Sequence, residues 1–306
     1  MRAFIFPGQG SQSVGMGRAL AEASAVARAV FEEVDDALGQ NLSRLMAEGP
    51  IEDLTLTENA QPAIMANAVA TLRVSGIALD KADFVAGHSL GEYSALCAAE
   101  ALDLATTARL LKLRGRAMQA AVPVGQGAMA ALLGLGLEAA QEVAAEAAQG
   151  EVCTVANDND PGQVVVSGHK AAVERSLEIA KAKGAKRALL LPVSAPFHCP
   201  LMQPAADAMA EALAGADLRP PLVPVYANVT AAPATDPAEI RRLLVEQVTG
   251  MVRWRESVAA MAEAGVTHFV EFGGKVLSPM VKRIAPDAKT TSVVSMDDIE
   301  ALVKEI

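Results

Sequence analysis

The chain has 306 residues, with 26 Lys plus Arg against 36 Asp plus Glu for a net charge of -10, and 52% of its residues are hydrophobic. That apolar fraction is ample for a large core and excludes disorder as the main state. The acidic balance speaks against binding nucleic acid or an anionic membrane surface. Cys97, Cys153 and Cys199 have no C-x-x-C spacing, so neither a disulfide framework nor a zinc site is expected, and a reducing cytoplasm is the expected setting.

Pro7 and Gly8 come too early for the apolar core of a signal peptide. Glycines and prolines interrupt the uncharged run from Ala117 to Leu137, which argues against a membrane helix. Phe4 to Phe6 reads as a strand that enters a glycine-rich turn, "FIFPGQGSQSVG", the way phosphate-cradling loops begin. Counted from Gly8, a dinucleotide fingerprint needs a third glycine where Ser13 stands, and no G-K-[ST] follows, so the nucleotide reading fails on spacing. An amphipathic helix carrying Ala27, Val30, Phe31, Val34 and Leu38 comes next, and a second helix is predicted from Pro62 to near Gly76.

Phe84 to Ala86 reads as a strand ending in Gly87-His88-Ser89-Leu90-Gly91, a G-x-S-x-G match between a strand and a helix. In that context the serine stands on a tight turn with its hydroxyl exposed, and the helix that follows offers N-terminal amides to an oxyanion. From Asp103, a plausible N-cap, the next helix places Arg109, Lys112 and Arg116 on one solvated stripe. Arg114 falls instead among Leu110, Leu111, Ala117 and Met118. A guanidinium on an apolar face needs an anion, which is either a protein carboxylate or a substrate carboxylate.

Gly127 to Val193 follows a β-α-β-β-α-β order, the ferredoxin-like plan, with "NDNDPG" read as the turn between its second and third strands. Elements of the first type then resume, which predicts a large α/β unit over 1–124 and 194–306 with a small unit, 125–193, inserted between "PVGQG" and "LPVSAP". Among the four histidines, His198 is pinned between Pro196 and Pro200 and is the candidate base for Ser89. His88 points away from the nucleophile, and His169 and His268 read as structural. Gln247 occupies a core-facing slot of a helix opened by Asp236 and Pro237, where it either caps a buried backbone group or belongs to the site.

With "FPGQGSQ", "GHSLGEYSAL", "LRGRAMQ", "GAMAAL", "NDNDPGQVVVSG", "PFHCPLM", "VRW" and "EFGGKVL" in order, nearly the whole chain resembles the malonyl-CoA:acyl-carrier-protein transacylases of bacterial fatty acid synthesis. It is similar, too, to the acyltransferase domains of polyketide synthases. The resemblance implies an α/β-hydrolase-like large subdomain with a parallel sheet, plus an inserted ferredoxin-like small one. It implies that Ser89 accepts the acyl group and that His198 is its base, oriented by a backbone carbonyl near Gln247. Arg114 would bind the malonyl carboxylate, Gln9 and Leu90 would supply oxyanion-hole amides, and Asn157 and Asn159 would approach from the small unit. Phe197 is compatible with malonyl rather than a branched acyl group.

The implied substrate is a CoA thioester, with no permanently bound cofactor or metal. The implied partner of the expected monomer is an acidic acyl carrier protein, and because the chain is itself acidic a local basic patch must meet it: Lys181, Lys183, Lys186 and Arg187 on the small unit and Lys275, Lys282 and Arg283 opposite are the candidates, each equally readable as ordinary solvated charge. Two other classes compete: a serine hydrolase using His268 near the C-terminus, and a non-catalytic carrier-binding module.

Overall fold

A computed structural model describes residues 1–306. Strands β1 (Arg2–Phe6), β2 (Phe84–Gly87), β7 (Val225–Ala227), β8 (Ala232–Ala234), β9 (His268–Phe272) and β10 (Lys289–Val293) form one sheet in the order β10-β9-β1-β2-β7-β8. All pairs are parallel except the edge pair β7–β8. Helices cover both faces of this sheet, which is why β1 has no exposed face: Ala3, Phe4, Ile5 and Phe6 are all fully buried. On one face Phe4 meets Phe272 edge-on with ring centroids 5.0 Å apart, and on the other Ala3 and Ile5 pack in the cluster that holds Trp254.

The second sheet contains β3 (Gly127–Leu133), β4 (Cys153–Asp160), β5 (Gln163–His169) and β6 (Arg187–Leu190), all antiparallel in the order β4-β5-β3-β6. Helices Leu137–Ala148 and Lys170–Ala182 bury Val143, Ala144, Val173 and Ala180 against it. This is the ferredoxin-like arrangement, and the protein is an α/β fold of two subdomains. No helix is long and apolar enough to cross a membrane.

Three local expectations need correction. The "NDND" of the expected turn is strand, because β4 runs on to Asp160 through two register shifts and leaves only Pro161 and Gly162 to turn. Three of its polar side chains meet the large subdomain, Asn159 through His88. Asp158 meets Arg255 at 2.8 Å, Asp160 meets Arg283 at 2.7 Å, and backbone bonds tie Ala156 and Asp158 to Val252. The exposed edge of the small sheet is thereby paired.

The helix expected from Pro62 begins at Thr57, with the proline inside it. Tertiary packing overrides local propensity there. A Cβ on Gly115 would lie 2.6 Å from Thr57 O, so the neighbouring helix Leu104–Ala121 closes directly on that first turn. Lys112, finally, is buried rather than on a solvated stripe, held by Gln40 and Asn59.

Candidate active site

Three neighbouring strands of the large sheet, β1, β2 and β7, end at the same side. Their C-terminal ends deliver Gln9, Ser89 and Asn228 to one crevice, the place where open α/β sheets bind ligands. Ser89 has φ 54, a left-handed conformation that costs a non-glycine residue roughly 1–3 kcal/mol. The turn is tight enough to demand glycine before it: a Cβ on Gly87 would sit 1.9 Å from Gly91 O. Two side-chain amides clamp the strained residue. Ser89 N–H donates to Asn228 Oδ1 at 2.8 Å, and Ser89 O accepts from Gln247 Nε2 at 3.0 Å.

Ser89 Oγ lies 2.7 Å from His198 Nε2, and His198 Nδ1 lies 2.8 Å from the backbone carbonyl of Gln247. Only Nδ1–H satisfies that carbonyl, so Nε2 is left to accept the serine proton. Burial, aided by the Arg114 charge, pushes the imidazole down to about 3, so it is a neutral base at ordinary pH. His198 too has a left-handed backbone, φ 55, and it is buried.

Arg114 is 1% exposed, yet none of its partners is a carboxylate. Nη1 donates to Gln61 Oε1 at 2.7 Å, while Nη2 donates to Gln247 Oε1 at 2.8 Å and to Ser89 Oγ at 3.2 Å. The buried Nε–H has no acceptor at all. Tyr93 lies under the guanidinium, with its ring centroid 5.7 Å from Cζ. Ser89, His198 and Arg114 all open on a cavity of about 320 Å³, whose other walls include Gln9, Leu90, Met129, Asn157, Val193 and Phe197. Met129 and Asn157 come from the small subdomain, so the cavity lies between the two.

The backbone N–H groups of Gln9 and Leu90 donate to no protein atom, although both residues line the cavity beside Ser89. Two free amides at a nucleophile are what an oxyanion needs. Asn157 lines the cavity as expected, whereas Asn159 does not: its Oδ1 lies 2.7 Å from His88 Nε2, and it steadies the residue before the nucleophile. Gln247 lies beneath the cavity rather than in its wall, so its contact is with Arg114, Ser89 and His198.

His268 is bonded to Thr291 Oγ1 at 2.8 Å within the sheet, and His169 Nδ1 accepts from Val152 N–H at 2.9 Å; neither reaches Ser89. No group of three or more His, Cys, Asp or Glu residues is placed to hold a metal ion. Sequence reasoning passed over Gln61, Glu92 and Asn228. Gln61 was detectable as one of several polar residues in a helix that turns out to be almost wholly buried. Glu92 lies in the quoted "GHSLGEYSAL" stretch, and burial pushes its carboxyl up to about 7. Asn228 carries no local signal.

The acyl transferase domain family model matches residues 3–281. The malonyl CoA-acyl carrier protein transacylase of Escherichia coli K12 is 47% identical over 306 residues, covering 99% of each chain. The solved acyl-carrier-protein-S-malonyltransferase of Bartonella henselae is 53% identical with a TM-score of 0.97, over 99% of this chain and 98% of that one. A malonyl-transacylase solved in complex with a type II PKS acyl-carrier protein is 42% identical with a TM-score of 0.96, over 100% and 99%.

Proposed function

The chain belongs to the acyl transferase domain family, and from that premise we propose that it moves a malonyl group from malonyl-CoA to the phosphopantetheine thiol of an acyl carrier protein by way of an ester on Ser89. The observation that carries the malonyl assignment is Arg114. A buried guanidinium with amide and hydroxyl partners, one unsatisfied N–H and an opening to the nucleophile's cavity has room for one carboxylate.

Ser89 Oγ attacks the thioester carbon as His198 Nε2 takes its proton. The carbonyl oxygen becomes an oxyanion that takes the Gln9 and Leu90 amides, both without a backbone acceptor and both of residues that line the cavity. His198 returns the proton to the departing CoA sulfur and leaves malonyl-Ser89. The carrier thiol enters through the same cycle: His198 takes its proton, sulfur attacks the ester, and the proton goes back to Ser89 Oγ. The Gln247 carbonyl stabilises the transient imidazolium in the place where other serine enzymes use an acid.

In this reading the enzyme is a cytoplasmic monomer without a resident cofactor. The acidic carrier docks on cations that the protein leaves uncommitted. Lys181 and Lys183 pair with Glu178, Glu142 and Glu146, and Arg283 pairs with Asp160. Lys282 is bonded to Ala288 O. Lys186, Arg187 and Lys275 have no such partner and are assigned the docking role. Reversing the charge of Lys186 and Arg187 together should raise the KM for carrier and leave that for malonyl-CoA unchanged; an unaltered carrier KM removes them.

Mass spectrometry of the enzyme with malonyl-CoA, and then with holo carrier protein, tests the scheme. A malonyl adduct on Ser89 that disappears as malonyl-carrier forms is expected, with parallel initial-rate lines. No adduct together with intersecting lines overturns it.

A further inference from the structure

We propose that Glu92 is a positioning residue of this transfer: one carboxylate oxygen beneath the elbow fixes Asn228 through its backbone and Gln247 through its side chain, the two residues that hold Ser89, His198 and Arg114 in register. The inference rests on the acyl-transfer reading above. Glu92 is only 2% exposed, in the first turn of helix Gly91–Ala98. Its Oε2 accepts from the Asn228 backbone N–H at 3.0 Å and from Gln247 Nε2 at 2.9 Å.

From Asn228 the connection brackets the elbow on both sides, since Oδ1 takes the Ser89 N–H and Nδ2 donates to Gly87 O at 2.7 Å. Gln247 reaches further. Its Nε2 holds Ser89 O, its Oε1 holds Arg114 Nη2, and its backbone carbonyl holds His198 Nδ1.

The chemistry of the donors makes Glu92 more than one contact among many. A side-chain amide has a donor end and an acceptor end, a guanidinium only donates, and the Glu92 Oε2 that already accepts the Asn228 N–H offers Gln247 a lone pair. With Glu92 on one side and Arg114 on the other, Gln247 has one satisfied orientation, with NH₂ toward the acid and oxygen toward the cation. Flipped, it would set N–H against N–H at Arg114. The acid thereby orders the amide that aims Arg114 and steadies the carbonyl of Ser89. Burial pushes the Glu92 carboxyl up, and the bonds from Asn228 and Gln247 and the Arg114 charge oppose that rise.

A role of this kind acts on nucleophile and cation together, which sets it apart from loss of the carboxylate clamp. Ser89 acylation by malonyl-CoA and by acetyl-CoA is measured for the wild type, Glu92→Ala and Glu92→Gln, with thermal melting for each. Glu92→Ala is expected to lower kcat with both esters by about 100-fold, the scale of a misplacement of about 1 Å, with KM for malonyl-CoA held within about threefold. Glu92→Gln keeps an acceptor oxygen for both donors and should stay within about tenfold of the wild type.

Wild-type kcat in Glu92→Ala overturns the proposal, as do two folded variants that are equally slow. Should Glu92→Ala not fold, Glu92→Asp withdraws the oxygen by one methylene and must show the same loss; a folded, fully active Glu92→Asp is equally fatal. Absence of any Ser89 ester in the wild type would instead sink the acyl-transfer reading.

Discussion

Lys112 and Arg114 stand two residues apart on the helix Leu104–Ala121, and both are buried cations, at 9% and 1% exposure. The region around Lys112 is saturated. Its ammonium has three acceptors, Gln40 Oε1 and Asn59 Oδ1 at 2.8 Å each and the Glu58 carboxylate at 3.3 Å, and one of them carries the compensating charge. The region around Arg114 is unsaturated: it has amide and hydroxyl partners only, a spare buried N–H, and a cavity in front. Burying a charge is costly unless it is paired, so Lys112 is accounted for by the fold itself, whereas the proposed reading gives Arg114 its partner in the substrate carboxylate.

Replacing Arg114 should produce the largest effect. Arg114→Ala is expected to lower malonyl transfer by roughly 30- to 1,000-fold, the worth of about 2–4 kcal/mol for a charge-assisted bidentate pair out of water. Acetyl transfer, which offers no second carboxylate, should change far less. Competition between the two CoA esters, read as the kcat/KM ratio, makes the measurement. Equal loss for both would mean that Arg114 serves only the fold.

Lys112 is the control with the opposite signature. Lys112→Met keeps the length of the stem and removes the charge, so Asn59, Gln40 and Glu58 lose a shared donor. Denaturant unfolding should register a loss of about 1–3 kcal/mol. The malonyl-to-acetyl ratio of the folded variant should stay at its wild-type value, and a shifted ratio would erase the distinction between the two regions.

How far these regions were legible in the sequence follows from the reach of their contacts. Ser89 and His198 were found because strand, glycine and proline signals surround each of them locally. Arg114 stood out because its own helix supplies the apolar neighbours. Lys112 was misplaced for the same reason: the helical stripe it shares with Arg109 and Arg116 is a local property, but Gln40, 72 positions away, covers it.

The small subdomain was readable as β-α-β-β-α-β because each of its strands and helices carries its own local pattern of apolar residues. The extension of β4 through "NDND" was not, since the charges of Asp158 and Asp160 are met by Arg255 and Arg283 from the other subdomain. Glu92 and Asn228 are the extreme case, linked across 136 positions, and neither residue's neighbours in sequence predict the contact.

The smallest effect belongs to Arg116, which completes the saturated region from outside. Its Nε is 2.7 Å from Glu58 Oε2, but the side chain is 64% exposed and that of Glu58 34%, so solvent screens the pair. Arg116→Ala should cost about 0.2–1 kcal/mol at neutral pH. The direction with pH is fixed by Glu58, whose carboxyl is held below its usual 4.5 chiefly by the hydrogen bond from Arg116 and further by Lys112. A carboxylate whose folded value is depressed contributes stability that is present above the unfolded value and is lost as the pH falls through the folded one. The stability gap between wild type and Arg116→Ala should therefore be constant above about pH 5 and close below 4.5. Urea titrations at a series of pH values read this directly, and a gap that stayed unchanged on acidification would show that Arg116 stabilises the region through its stem rather than its charge.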